Sequence, residues 1–184
     1  MTSTYIETYL ASLQTSLDLV SRKEILIAWD LLNQTYERGG TVWICGNGGS
    51  ASLADHLAVD FVTQCGIKSQ SLTSLAMITA TGNDFGYEKT FSKSLEILGD
   101  PKDLLMVLSG SGNSSNILEI LRQARRMKIE TLAVLGKDGG KIHFGELSDH
   151  EILVPSPNMG QSQDGHQILG HILVYGLKES WGHA

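Results

Sequence analysis

Apolar positions recur at helical spacing from about Tyr5 to Arg38: Ile6, Tyr9, Leu10, Leu13 and Leu17, then Ile25, Ile27, Leu31 and Leu32. Residues three and four apart share one helix face, so the pattern predicts two amphipathic helices. Ser21, followed by Glu24 three residues on, forms a capping-box start for the second, and Gly39-Gly40 ends the pair. Thereafter short apolar runs alternate with helical stretches. Thr41–Cys45, Asp103–Leu108, Thr131–Leu135 and Glu151–Val154 read as buried strands, with a weaker strand near Gln70–Leu75. Ser50–Gln64, Phe85–Leu98 and Ser114–Lys128 read as the helices between them, and Ser162–Trp181 closes the chain. Strands alternating with helices imply right-handed crossovers and a parallel sheet covered on both faces. The expected fold is therefore α/β: a flavodoxin-like five-stranded parallel sheet with helices on both faces and two N-terminal helices. One domain is expected over residues 1–184, with 1–40 a helical lead-in and 41–184 the α/β core.

A strand, a Gly/Ser loop and a helix occur in that order at Thr41–Gln64 and again at Asp103–Lys128. The first loop is Cys45-Gly46-Asn47-Gly48-Gly49-Ser50 and the second is Ser109-Gly110-Ser111-Gly112-Asn113-Ser114. Glycines permit close backbone approach, while hydroxyls and free N–H groups at a helix start suit an anion. In an open parallel sheet both loops lie at the carboxyl edge, where ligands bind. A single such loop is as readily a tight turn with an ordinary cap. Two of the same composition favour a shared ligand. Gly46-x-Gly48-x-x-Ala51 satisfies a loose dinucleotide fingerprint, but the acidic residue expected about 20 positions on is missing, since Gly66-Ile67-Lys68-Ser69 stands there. Neither loop contains Gly-Lys followed by Ser or Thr, which excludes a P-loop. A phosphomonoester fits better than a nucleotide.

Composition narrows the partners. The length of 184 residues allows one full core, and 41% apolar with 18% charged residues describes a globular chain. A net charge of −6 without a Lys/Arg stripe argues against nucleic acid and anionic membranes as partners. A small anion needs only a local positive field. Cys45 and Cys65 form no spaced motif, so no disulfide framework is expected. The start MTSTYIETYLASL is amphipathic and carries an early Glu, unlike a signal peptide, and no apolar run approaches the roughly 20 residues of a membrane span. A cytoplasmic location is expected.

Two groups of ionisable residues stand near the loops. His56 and Asp60 are four apart on the helix that the first loop opens, so they share a face. A surface ion pair is the plainer reading of them, but the loop lies under two turns away. Asp55 points elsewhere and reads as solvated. The last helix carries Gln163, His166, Gln167, Gly170 and His171. Gln163, Gln167 and His171 form a stripe four residues apart, with His166 off it. Buried histidines need partners, so one of the two is expected in a site, and spacing leaves open which. His143, His150 and His183 fall in or near loops or the terminus and read as solvated.

These loops, His56 with Asp60, Gly82-Asn83-Asp84, Gly136-Lys137-Asp138-Gly139-Gly140-Lys141 and the Gln163…His171 helix together resemble the SIS-domain phosphosugar isomerases. The nearest group is the sedoheptulose 7-phosphate (phosphoheptose) isomerases, and the resemblance covers nearly the whole chain. It implies interconversion of sedoheptulose 7-phosphate and D-glycero-D-manno-heptose 7-phosphate through an enediol. It also implies a homotetramer with active sites between subunits, each typically containing zinc. Carried over by position, Ser50, Ser109, Ser111 and Ser114 hold phosphate. Asn47, Gly48, Gly49, Asn83, Asp84, Gly110 and Gln163 complete the substrate site. His56, Asp60, Gln163 and His171 become the zinc ligands, with Asp60 and His171 as the catalytic pair. The resemblance thus chooses His171 over His166.

The chain departs from that group at several points. Asp60 stands where Glu is usual, Thr63-Gln64-Cys65-Gly66 lacks a Gly-Arg pair, and Ser74 replaces an acidic residue. Gly110 replaces Thr, and Gln161 replaces Arg. All five touch the expected substrate shell, so an isomerase of a different phosphosugar is an alternative. Two further readings are a non-catalytic SIS protein, resembling a factor that binds the replication initiator, and a phosphosugar-sensing module. Keeping His56, Asp60 and His171 together speaks for catalysis.

Overall fold

Every residue of Val42–Gly46 (β1) and Leu104–Ser109 (β3) is buried, because each strand lies inside a parallel sheet covered on both faces. The computed structural model describes residues 3–182, so His183 lies outside it. Helices Ser3–Asp18 (α1) and Arg22–Glu37 (α2) precede β1. There follow helix Gly49–Cys65 (α3), strand Ser69–Ser71 (β2), helices Leu75–Phe85 (α4) and Ser92–Leu98 (α5), and then β3. Helix Ser115–Met127 (α6), strand Glu130–Gly136 (β4), the short helix Gly140–Phe144 (α7), strand His150–Val154 (β5) and helix Met159–Ser180 (α8) complete the order. The five strands are parallel in the order β2-β1-β3-β4-β5, the flavodoxin-like arrangement expected.

Alternation along the strands builds two apolar layers. Val42, Ile44, Leu104, Met106 and Leu108 face Leu31, Leu53, Leu57, Phe61, Leu169 and Leu173 of α2, α3 and α8. Trp43, Cys45, Leu105 and Val107 face Phe91, Leu95, Ile117, Ile120 and Leu121 on the other side. The lead-in forms the two helices its pattern indicates, but of the apolar positions of α1, Ile6 and Leu10 are exposed, while α2 buries Leu31 and Leu32. Ser21 Oγ accepts from Glu24 N–H at 3.3 Å and caps α2. Beneath the sheet, Asp103 is 2% exposed. Its carboxylate accepts from Thr41 N–H, Trp43 Nε1 and Asp100 N–H, each at 2.8 Å, pinning the starts of β1 and β3 together.

Two stretches differ from the expectation. The strand expected near Gln70–Leu75 ends at Ser71, and Leu75 begins α4. The helix expected over Phe85–Leu98 is broken into the end of α4, a 3₁₀ turn at Tyr87–Lys89 and α5. The break falls at Gly86, whose φ of 89° ends α4 and opens the 3₁₀ turn; within α4, Leu75, Met77 and Phe85 are exposed and Thr81 alone is buried. Thr79 and Thr81 turn their hydroxyls back to the Leu75 and Met77 carbonyls, which lets Thr sit inside a helix.

Removing the Asp103 carboxylate leaves three donors without their acceptor, two of them backbone amides. Asp103→Ala is expected to lower unfolding free energy by about 3 kcal/mol in urea titration. A loss below about 1 kcal/mol would mean that water replaces the carboxylate.

Candidate active site

The sheet order reverses between β1 and β3, so the loops that leave them emerge side by side at the carboxyl edge. Between them is a cavity of about 100 Å³ lined by Asn47, Ser50, Leu108, Ser109, Gly110, Ser111, Ser114, Met159 and Gln163. None of these residues carries a charge. Helices α3 and α6 start at this cavity, and neither has a side-chain cap at its N-terminus, in contrast to the Ser21 and Asn158 caps of α2 and α8. Ser50 and Ala51 N–H donate to the Asn47 and Gly48 carbonyls and Ile117 N–H to the Ser114 carbonyl, which leaves Gly49, Ser115 and Asn116 N–H without a protein acceptor and open to a ligand.

The hydroxyls are arranged as donors. Ser109 Oγ accepts from Gly112 N–H at 3.1 Å and Ser111 Oγ accepts from Asn113 N–H at 3.3 Å. With those lone pairs occupied, each hydroxyl proton is free for an anionic oxygen. Gly49 leaves room for the Gln163 amide, since a Cβ there would lie 2.5 Å from Gln163 Oε1 and push that side chain aside. A Cβ at Gly110 would lie 2.5 Å from Met159 Sδ, so the Met159 thioether fills the space next to the cavity where a side chain at 110 would project.

An amide pair joins the two loop regions. Asn47 and Asn116 exchange two hydrogen bonds of 2.9 Å, Asn116 also donates to Thr90 Oγ1, and Tyr87 Oη donates to Asn47 Oδ1 at 2.8 Å. Asn116 and Tyr87 have no signal in the sequence, because their partner is in another loop. Gly48 is the N-cap of α3, with φ of 57°. Asn83 and Asp84 are exposed at the end of α4, hydrogen-bonded to each other at 2.9 Å, and do not line the cavity.

The second part of the site is on α3 and α8. His56 Nε2, Asp60 Oδ2 and His171 Nε2 converge, with separations of 3.0 Å between the histidines, 3.3 Å for His56–Asp60 and 3.9 Å for His171–Asp60. Two imidazole nitrogens facing each other at 3.0 Å repel unless a proton or a cation lies between them. A tetrahedral zinc with bonds near 2.0–2.1 Å spaces its ligand atoms about 3.3 Å apart, and the three separations bracket that value. Two imidazoles and a carboxylate also suit such an ion chemically. The fourth residue differs from the expectation. Gln167 Nε2 stands 2.8 Å from His171 Nε2, whereas Gln163 is placed at the cavity beside Gly49.

Other expected residues fall as follows. Asp55 accepts from the Ser71 and Thr73 hydroxyls at the end of β2, so it is exposed but not unpartnered. Gln161 is buried and turned to α1, accepting from Ser12 Oγ and donating to the Tyr9 carbonyl. Ser74 is the N-cap of α4. His143 pairs with Glu151, and His150 Nε2 lies 3.5 Å from Glu130. His166 is a core residue, 1% exposed, with no full hydrogen bond to either ring nitrogen. Burial pushes its pKa down to about 4, with the Leu135 backbone opposing.

A model of the SIS domain family matches residues 4–136 of the chain. The phosphoheptose isomerase of Helicobacter pylori (strain P12) is 36% identical over 159 residues, 83% of this chain and 82% of that one. Two solved structures share the fold. Phosphoheptose isomerase from Francisella tularensis superposes with a TM-score of 0.90 at 30% identity, covering 97% of this chain and 100% of that chain. GmhA from Neisseria gonorrhoeae gives 0.87 at 31% identity, covering 96% of each. The chain belongs to the SIS-domain family and, within it, to the phosphoheptose isomerases.

The depressed His166 pKa makes stability pH-dependent. The unfolded imidazole takes up a proton near pH 6.5 and the folded one only near 4, so stability is fully present above 6.5 and falls as pH drops towards 4. Unfolding free energy is expected to decline by about 3 kcal/mol across that window, and His166→Leu should flatten the decline. An unchanged pH profile in that variant would assign the decline to other groups.

Proposed function

We propose that the protein is an aldose–ketose isomerase of a phosphosugar, with sedoheptulose 7-phosphate and D-glycero-D-manno-heptose 7-phosphate as the pair. The observation that carries this reading is that one helix bears both halves of the site. Ser50 at its start lines the anion cavity, and His56 and Asp60 belong to the trio further along. Ser50 and His56 are six positions apart, about 9 Å of helix rise. An extended heptulose phosphate spans roughly 9 Å from C2 to phosphorus at ordinary bond lengths. The cavity itself has room for little more than the phosphate, so the sugar extends towards the trio. The relatives' shared name supports the same substrate.

In this reading Ser50, Ser109, Ser111, Ser114 and the amides of Gly49, Ser115 and Asn116 hold the phosphate. Asn47, Gly48, Gly49, Gly110 and Gln163 shape the wall beside it, and Asn83 and Asp84, outside the cavity lining, are assigned to the sugar by the family resemblance alone. The isomerisation removes a proton from C1 of the ketose and returns one to C2, while a second proton passes from O1 to O2. Asp60 is the carboxylate base for the carbon-bound proton. His171 is the acid/base that carries the proton between the oxygens. Zinc held by His56, Asp60 and His171, with a glutamine amide as a further ligand, would stabilise negative charge on the sugar oxygens.

Val59, Val62, Ile172 and Tyr175 are exposed apolar residues on the same two helices as the trio. They support a homotetramer whose sites lie between subunits, with 1–184 folding as one unit. A cytoplasmic location agrees with the absence, among the described residues, of a helix long and apolar enough to cross a membrane.

His171→Ala and Asp60→Asn are each expected to lower kcat by at least about 100-fold with the fold intact by circular dichroism. The assay follows deuterium from D₂O into C2 of the aldose product. Normal turnover in both variants would overturn the assignment. Ser111→Ala is expected to raise KM about tenfold with kcat nearly unchanged, because the phosphate contact exists in ground and transition states alike. A chelator should abolish turnover and zinc restore it; full activity in metal-free protein would remove zinc from the mechanism.

A further inference from the structure

The turn Gly136-Lys137-Asp138-Gly139-Gly140-Lys141 lines no part of the anion cavity, yet it is fitted closely against the loop that does. Gly112 has φ of 61°, and a Cβ on it would lie 1.8 Å from the Gly139 carbonyl oxygen. Gly140 has φ of 55°, and a Cβ there would lie 2.2 Å from the Ser111 carbonyl oxygen. Both residues need glycine for backbone angle and for space. Asp138 Oδ1 accepts from Gly140 N–H at 3.1 Å and sets the turn. Ile142 N–H then donates to the Gly112 carbonyl at 3.2 Å.

Asn113 closes this junction. Its Nδ2 donates to the Ser111 carbonyl at 2.7 Å, and its Oδ1 accepts from Lys141 N–H at 3.1 Å. Its own N–H is the donor that occupies Ser111 Oγ. One residue therefore fixes the Ser111 backbone, orients the Ser111 hydroxyl and ties both to the start of α7. The side chain is exposed and contributes nothing to the core, so loop geometry is its evident use.

We infer that Asn113 is a positioning residue: it clips the β3–α6 loop to the start of α7 and so holds the Ser111 hydroxyl and the neighbouring amides in place for the phosphate. This rests on the phosphosugar reading of the cavity. Asn113 does not touch the ligand in this account, and it acts on binding rather than on proton transfer. Beside the Ile142–Gly112 hydrogen bond, the Asn113 side chain is what ties Ser111 itself to the second segment, and a preorganised cradle binds more tightly than one ordered by its ligand.

The test is a KM-against-kcat comparison with sedoheptulose 7-phosphate, together with competitive inhibition by inorganic phosphate. Asn113→Ala is expected to raise KM and the phosphate inhibition constant together by about tenfold, with kcat within about threefold and zinc content unchanged. Lys141→Pro removes the N–H partner while leaving Asn113 in place; proline is tolerated in the first turn of a helix. It should move both constants in the same direction. A merely structural role would lower the melting temperature without this paired change. Unchanged KM and phosphate inhibition in folded Asn113→Ala protein, or a fall in kcat alone, would overturn the inference while leaving the isomerase reading intact. If the unaltered protein neither turns over the sugar phosphate nor responds to phosphate, both fail. Should Asn113→Ala not fold, Lys141→Pro decides by the same two constants.

Discussion

The reversal of strand order between β1 and β3 is the constraint on which the rest of the site depends. A parallel sheet sends every strand's carboxyl end to one edge, and only at the reversal do two neighbouring strands lead their helices to opposite faces. The crevice this leaves is bounded by backbone amides at the starts of α3 and α6. Neither helix spends a side chain on capping them. No charged residue lines that cavity in this acidic chain, so what it can offer an anion is hydroxyls and the N–H ends of the two helices.

Around that crevice, precision comes from contacts between loops rather than from the strands. The Asn47–Asn116 pair ties the first loop to α6, and Asn113 ties the second to α7. Glycines at 112 and 140 are required by the backbone that lies opposite them, and in both cases the opposing atom belongs to a distant part of the chain. The trio follows a different logic. His56 and Asp60 are placed by helix periodicity alone, and His171 reaches them because Gly170 lets α8 pack closely on α3: a Cβ at 170 would lie 2.5 Å from Leu57 Cδ2. His166, five residues earlier, faces the sheet instead and stays neutral in the core.

Much of this was legible in advance. The strands of the sheet centre announce themselves by apolar runs because both their faces are covered, and Ser21 announces α2 because capping is local. That the two Gly/Ser loops would meet at one cavity was legible from their composition and from their place after strands. The α4 segment was not, since Leu75, Met77 and Phe85 face outward and the apolar pattern no longer reports on the core. Nor was the difference between Gln163 and Gln167, four residues apart on one stripe of α8. Which amide meets His171 and which meets Gly49 is set by how that helix crosses α3.

The sequence by itself determined the parallel α/β sheet, the lead-in helices, the pair of anion-suited loops and the His56–Asp60 pairing. Each of these follows from periodicity or from contacts within a few residues. Only the tertiary structure decided which histidine of α8 joins the trio in space, that Met159 occupies the ground beside Gly110, and that Asp55 is engaged by Ser71 and Thr73. Those outcomes depend on atoms 15 or more positions apart meeting at distances of a few ångströms. Such meetings are set by packing across helices and loops, and linear spacing carries no record of them.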